Sequence, residues 1–483
     1  MTNKVFQLLS ILHPSELKPF ERWLRSPWCN SQQKLHELFV LLRPHHPHFD
    51  SPKVRKETLF QQLYPEHPYS VGWLRNLFSA LSQQVERFLQ HQQLDQQPEL
   101  GEQLLLQCFR ERHQASWFHK RSLHLIERLR SRPTADPESL HWLSTCYEQL
   151  HRHPELSQKQ RADSQALDQA QAQLNRAYAL RQYRFLSERH ERHKILGDQD
   201  QLPEQLRALD QWTQAIDLPA ITVYRLFLHE ASAPGRARFE KLRQHYLDHL
   251  DALHPTDQSI FLFLLLNEAA RLRLRGEPHI HRDIFALFQL GLDRQLLLHH
   301  DRMSEVTFTN ILTMAQLSQA HDFAHDFIET YAPKLAPQLR DDARNWGRAF
   351  VAFHSHRADP HELELTLHQR GNDLTTFSVR SRILLLQMYF EELRDPGTRD
   401  ANFLLARCEA FAKLVRRKRS FPEKNRTAIL RTLRYLRKLV SLTGPLRVDQ
   451  KEVAKVRAAL AEEPRLHARD WLLERLKELG QPK

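Results

Sequence analysis

Glycine is the residue this chain has least of for its size: 11 in 483 positions, about a third of the ~7% usage of ordinary proteins. Sheets draw on glycine at tight turns and bulges, and phosphate-binding loops need it where backbone approaches ligand. The eleven (Gly72, Gly101, Gly197, Gly235, Gly276, Gly291, Gly347, Gly371, Gly397, Gly444 and Gly480) are too far apart for G-x-G or for the glycine spacing of a Walker loop. Dinucleotide-fold and P-loop chemistry are thereby excluded, and helices are favoured. Cysteine is also sparse. Cys29, Cys108, Cys146 and Cys408 form no C-x-x-C pair, which excludes a zinc ribbon or dithiol redox motif and, in so large a chain, a disulfide framework. Long apolar runs are missing too. The longest, Ile260 to Leu266, falls far short of the ~20 residues that span a bilayer. The start, Met1 to Leu12, has an apolar stretch broken by Gln7 and Ser10 and no small-residue cleavage site. The expectation is a cytoplasmic protein with no integral membrane contact.

What the chain does have is enough apolar residues, 41%, to bury a core. Its length exceeds what one compact core accommodates, so several domains or a solenoid are expected. The 25 prolines punctuate apolar-periodic segments, as at Pro14, Pro44 and Pro445, where they start or stop helices. After Tyr69 and Ser70, the residues Val71, Leu74, Leu77, Phe78, Leu81, Val85, Phe88 and Leu89 recur at three- and four-residue spacing, predicting a long amphipathic helix. Ser51 and Pro52 read as an N-cap followed by proline at the first helical position. From Gln158 to Leu196 no proline or glycine intervenes, and Leu167, Ala170, Leu174, Ala177 and Tyr178 mark one face of a single long helix.

Beyond residue 215, longer and shorter helical segments alternate. Pro255–Arg275 is followed by Asp283–Leu298, Ser304–Gln319 by Phe323–Tyr331, Leu339–His356 by His361–Gln369, and Leu374–Leu393 by Asp400–Val415. The long segments begin roughly 35 to 47 residues apart, the period of TPR and HEAT-like helix pairs. The TPR pattern is only partly kept: Ala349 and Phe353 suit a first helix, whereas Glu362 or Leu363 stands where a small residue belongs. The expected fold is all-α, an N-terminal helical module followed by an α-solenoid of degenerate TPR-like helix pairs. Its expected divisions are an N-terminal module at 1–92, a helical middle region with the long helix at 93–214, TPR-like repeats at 215–445 and a C-terminal helical cap at 446–483.

Four stretches carry a resemblance that covers nearly the whole chain: Leu12–Trp28 (LHPSELKPFERWLRSPW), Leu174–Arg176, Leu384–Phe390 (LLLQMYF) and Trp471–Glu474. In these the chain resembles a widespread family of uncharacterised bacterial all-helical proteins with TPR-like C-terminal repeats. Where that family tends to place a glycine-containing turn within a pair, this chain has His354–Ala358 (HSHRA). The resemblance implies the fold and no activity.

Thirty histidines invite a metal reading. The best case is His321 and His325, which a helix would place on one face at i, i+4 beside Asp322 and Asp326. Such a pair needs further ligands from another helix, and none stands out in sequence; the alternative is the exposed side of a helix that buries Phe323 and Phe327. His190 with His193, and His229 with Glu230, lack the H-E-x-x-H spacing of a zincin. Glu148 with His151 supplies one Glu-x-x-His where a di-iron bundle needs two, and His45, His46 and His48 read as a solvated proline loop. No catalytic residue, metal ligand or cofactor is assigned.

Charge is more informative. Between Lys413 and Lys438 stand eleven Lys or Arg and one acid, Glu423, so this window carries +10 of the chain's net +12. On the helix predicted from Arg426 to Leu442, Ile429, Leu433, Leu436 and Val440 make the buried stripe. Arg431, Arg434 and Lys438 line the opposite face, and Tyr435 sits beside them to stack on a base or cover apolar stems. Arg416, Arg417, Lys418 and Arg419 precede it, so two basic surfaces are expected to converge at a helix-pair junction. The alternatives are a solvated face, a site for an acidic protein, a nucleic-acid site, or a site for anionic lipid or small anions. The favoured reading is a non-enzymatic interaction or scaffold protein presenting a helical-repeat surface to a protein or peptide. Its alternative is a nucleic-acid-binding protein using the basic patch, and a third is a metal-dependent hydrolase using His321 and His325. The oligomeric state stays open.

Overall fold

The structure is a computed structural model that describes residues 4–155, 165–196, 202–229, 235–355, 360–368, 375–394, 400–418, 423–443, 449–463 and 466–480. The described residues form helices throughout, with one isolated bridge between His299 and Arg302 and no strand. The class is all-α, as the glycine scarcity requires. The chain divides into two compact units, one of Met1–Arg132 with Glu138–Asn175 and one of Pro133–Pro137 with Arg176–Lys483.

The first unit contains α1 (Lys4–Ser10), α2 (Leu17–Arg25), α3 (Gln33–Leu42), α4 (Lys56–Leu63), α5 (Val71–Asp95), α6 (Pro98–Glu111), α7 (Ala115–Arg130) and α8 (Pro137–Arg152). The helix predicted after Ser70 is α5. Ser70 caps it by accepting from the Trp73 amide at 3.5 Å, and Leu74, Leu77, Phe78, Leu81, Val85 and Phe88 are buried. They join Val5, Phe20, Leu38, Phe39 and Phe60 in a core drawn from residues Val5 to Phe88. A second core lies around Leu106, Phe118, Leu125, Leu143 and Leu150. Ser51 does cap, accepting from Lys53, but the turn it opens is the short 3-10 segment Pro52–Val54; α4 begins only after Arg55 returns to extended backbone. His46 is no free loop residue, since its ring Nε2 hydrogen-bonds the Leu12 carbonyl oxygen at 2.9 Å.

Helix α9 (Gln165–Leu196) is the long helix, its residues through Asn175 belonging to the first unit and those from Arg176 to the second. The face read from sequence is corrected here. Ala170 and Ala177 are buried, but Leu167, Leu174 and Tyr178 are exposed, and the buried side runs through Gln173, Leu180, Tyr183, Ser187 and His190. The Tyr183 hydroxyl is met there by Asp210, Thr213 and Arg225 from other helices, and the Ser187 hydroxyl donates to the Tyr183 carbonyl of its own helix, pairings that an apolar count cannot register.

The second unit continues with α10 (Leu202–Thr213), α11 (Pro219–His229), α12 (Arg236–His249), α13 (Pro255–Leu274), α14 (Ile280–Asp293), α15 (Glu305–Leu317), α16 (His321–Tyr331), α17 (Arg340–His354), α18 (Pro360–His368), α19 (Thr376–Arg394), α20 (Ala401–Arg417), α21 (Glu423–Thr443), α22 (Gln450–Ala461) and α23 (Arg469–Leu479). All eight segments predicted from Pro255 to Val415 are present as helices α13 to α20, with ends shifted by a few residues. Capping explains the crisp starts: Ser304 accepts from the Thr307 amide at 3.0 Å and Asp400 from that of Asn402 at 3.1 Å. Each helix from α11 to α17 packs on the next, and α15 also meets α17, as α17 meets α19.

Two glycines set close approaches in this stack. A Cβ on Gly291 of α14 would lie 2.6 Å from Leu262 Cδ2 of α13 and 2.8 Å from Leu297 Cγ; one on Gly347 of α17 would lie 3.0 Å from Ile328 Cγ1 of α16. Gly291→Ala is therefore expected to destabilise the second unit by about 1–3 kcal/mol through overpacking. A urea midpoint that falls at constant slope would register it.

Candidate functional site

The basic window folds as a helix pair. Helix α20 ends with Arg416 and Arg417 in its last turn and Lys418 at its C-cap, where positive charge meets the negative end of the helix dipole. Helix α21 packs antiparallel to it by burying Ile429, Leu433, Leu436 and Val440, the predicted stripe, together with Ala428, Leu439 and Leu442. Arg419, between the two helices in sequence, lies outside the described residues.

Between α20 and α21 runs an open groove of about 500 Å³, lined by Ala412 and Arg416 from the first helix and by Leu430, Leu433, Arg434, Arg437, Lys438 and Ser441 from the second. From Leu430 to Ser441 it follows α21 for about 16 Å at 1.5 Å per residue. Its floor is apolar and its walls carry four cations, so the convergence expected from sequence is present at Arg416, Arg434 and Lys438. Arg437, which the sequence reading counted but did not single out, completes the wall. Arg417, Lys418 and Arg431 do not line the groove.

The acids that temper this surface come from outside the basic window. Glu409, two turns before Arg416, accepts from Arg437 at 2.8 Å and lies 3.7 Å from Arg416. Glu463, beyond α22, pairs with both Arg431 and Arg434 at 2.9 Å. Counting these two carboxylates against the four groove cations leaves an excess of positive charge, with the Lys438 ammonium in no ion pair among the described residues. Exposed pairs of this kind contribute at most ~1 kcal/mol each. Their effect is to hold the guanidinium groups over the groove with donors to spare, because each arginine has more N–H groups than one carboxylate engages.

Tyr435 is placed differently from the reading that gave it an exposed face. It is 4% exposed, its hydroxyl lies 3.3 Å from Glu463 Oε1, and the Arg434 guanidinium covers its ring at 5.1 Å. Sequence put it beside the basic stripe, but at one residue from both Arg434 and Leu436 it turns into the pair's core. It offers no open face on which a base could stack.

The other clusters are also located. On α16, His325 is exposed and His321 half-buried, while Ala324, Phe327 and Ile328 face the core and Phe323 packs edge-on against Phe285 at 5.0 Å. His229 is engaged by Asp210 at 2.5 Å. Among the described residues no group of three or more His, Cys, Asp or Glu is disposed to hold a metal ion. The thiol of Cys146 is pushed up to about 11 and that of Cys408 to about 12, in both cases first by burial, which makes both poor nucleophiles at neutral pH. Among the described residues no helix is long and apolar enough to cross a membrane. Compared with known proteins, the chain matches no family model, no curated protein and no solved structure.

Proposed function

We propose that the protein is a non-enzymatic interaction protein whose second unit is a solenoid of degenerate TPR-like helix pairs, and that it binds an acidic, apolar-anchored peptide segment of a protein partner in the α20–α21 groove. The single observation behind this reading is the composition of that groove. An apolar floor of Leu430 and Leu433 beneath Arg416, Arg434, Arg437 and Lys438 suits a helix or strand with carboxylates flanking an aliphatic anchor, because the floor supplies burial and the walls supply orientation. Successive helix pairs, with every second helix also in contact from α15 to α19, support the solenoid reading. Nucleic acid is the competing occupant, and the burial of Tyr435 removes the one aromatic platform that favoured it.

A fluorescein-labelled amphipathic peptide of Glu and Leu residues provides the probe, followed by anisotropy beside labelled single-stranded RNA and double-stranded DNA. Saturable peptide binding is expected, weakening with salt and reduced about tenfold or more by Arg434→Glu with Lys438→Glu. Helicity by circular dichroism should not change, since both side chains are exposed. Nucleic acid that binds while the peptide does not would replace this reading with the nucleic-acid one.

A further inference from the structure

Several arginines that pack into the interior of the second unit are paired with acids. Arg184 is paired with Asp257, Arg238 with Glu268, and Arg271 with both Glu191 and Glu268. Arg380, on α19, has no such partner. It is half-buried, its Nε is sealed from solvent with no acceptor, and its guanidinium makes no hydrogen bond or ion pair among the described residues. What it does touch is a ring: the guanidinium carbon lies 5.5 Å from the centroid of Trp346, which is 2% exposed and stacked on Phe350 at 5.0 Å.

The charged neighbours sharpen the asymmetry. Among the described residues, Glu305 at the start of α15 is the acid whose charge reaches Arg380, but it is engaged by the Thr376 hydroxyl at 2.6 Å and forms no ion pair with the arginine. His467 is pushed down to about 4, by burial first and then by the Arg380 charge, so it is neutral at pH 7 and supplies no counterion. Burial pushes Arg380 down as well, to about 10, which still leaves it charged at neutral pH. A cation withdrawn from water without a carboxylate is costly, and a ring face offsets only part of that cost. Sites that bind anions carry such a cost in the unliganded state.

We propose that Arg380 receives the carboxylate of a ligand or partner segment, held by its planar N–H fork against the Trp346 ring. This site lies on α19 and goes beyond the α20–α21 groove. A carboxylate fits better than a phosphate for two reasons. The fork matches a planar carboxylate in bidentate fashion, and a single positive charge with Glu305 nearby matches a monoanion and repels a dianion.

The test uses the full chain, its Arg380→Met variant and three probes at constant ionic strength and pH 7: benzoate, its neutral isostere benzamide, and inorganic phosphate. Thermal unfolding of the wild type should rise saturably with benzoate, by about 2 °C or more at concentrations well above its dissociation constant. Benzamide and phosphate should leave it where chloride does. Arg380→Met should lose the benzoate response while unfolding in chloride at or above the wild-type temperature, because methionine fills much of the same space without an unpaired charge. Absence of a benzoate response in the wild type up to about 100 mM, enough to detect binding that weak, overturns the proposal. An equal response to benzamide, or a larger one to phosphate, overturns the carboxylate assignment. A variant that keeps the wild-type response removes Arg380 from the site.

Discussion

Asp257→Ala is expected to destabilise the second unit by about 3–5 kcal/mol, the range for breaking a buried ion pair by removing one partner. Asp257 is fully buried at the first turn of α13. It receives both Arg184 Nε and Nη2 at 2.8 Å, one on each oxygen, and the Tyr224 hydroxyl at 2.8 Å. The three residues come from α9, α13 and α11, so one carboxylate ties three helices. Burial raises the Tyr224 hydroxyl pKa well above its usual value, with the Asp257 charge adding to it, so the phenol keeps the proton that it donates to Asp257 at neutral pH. Alanine at 257 leaves the guanidinium and the phenol facing a gap. Tyr224→Phe, which removes one donor and keeps the ring, should cost only about 1 kcal/mol. Asp257→Leu combined with Arg184→Met should be milder than Asp257→Ala alone, since it removes both charges together. Urea denaturation of the four proteins separates these cases, and a double variant as unstable as the single would mean that the loss comes from packing.

The helices were legible in sequence because their signals are local. Proline positions, capping residues such as Ser70, and three- and four-residue apolar spacing located α5 and all of α13 to α20. What required the fold is everything that depends on residues far apart in the chain. The basic window reads as +10 because the acids that pair with it lie outside it in sequence, Glu409 shortly before and Glu463 well after, and only the packing of α20, α21 and the segment after α22 brings those acids to Arg437, Arg416, Arg431 and Arg434. Tyr435 follows the same logic in reverse: adjacency to arginines in sequence suggested exposure, while helical geometry turned it inward. The buried side of α9 was misread because Tyr183, Ser187 and His190 are polar in composition and buried in fact. Arg380 had no sequence signal at all. An arginine in an amphipathic helix is ordinarily a surface residue, and its lack of a carboxylate is visible only when the neighbours are known. Gly291 and Gly347 could not be told in sequence from Gly72 and Gly101, which also lie inside helices but leave room for a side chain, because the clash depends on the neighbouring helix.

Acid should weaken the second unit through a different cluster, and Glu268→Gln should expose the mechanism. Glu268 is 1% exposed on α13, bonded to Arg238 Nη1 at 2.8 Å and to Arg271, with the Lys194 ammonium 3.9 Å away. Arg271 also grips Glu191 of α9 at 3.0 and 3.2 Å. Burial pushes both carboxyls up, but in each the hydrogen bond and charge of Arg271 lead a set of cationic contacts that outweigh it and hold the group below its usual value of 4.5. A carboxyl depressed in the folded state binds fewer protons there than in the unfolded chain. The stability it contributes is therefore fully present above pH 4.5 and is lost as pH falls through the depressed value. The urea midpoint should hold level, as far as these two groups are concerned, from neutral pH to about 5 and then fall steeply. Glu268→Gln should begin about 3 kcal/mol lower at pH 7, because Arg238 and Arg271 use different carboxylate oxygens, and an amide removes the charge and replaces one of those oxygens with an NH2 donor. Its decline below pH 4.5 should be shallower, since one of the two titrating groups is gone. Parallel curves for the two proteins would mean that Glu268 is not ionised in the fold, and the acid transition would then have to be sought at the exposed carboxylates.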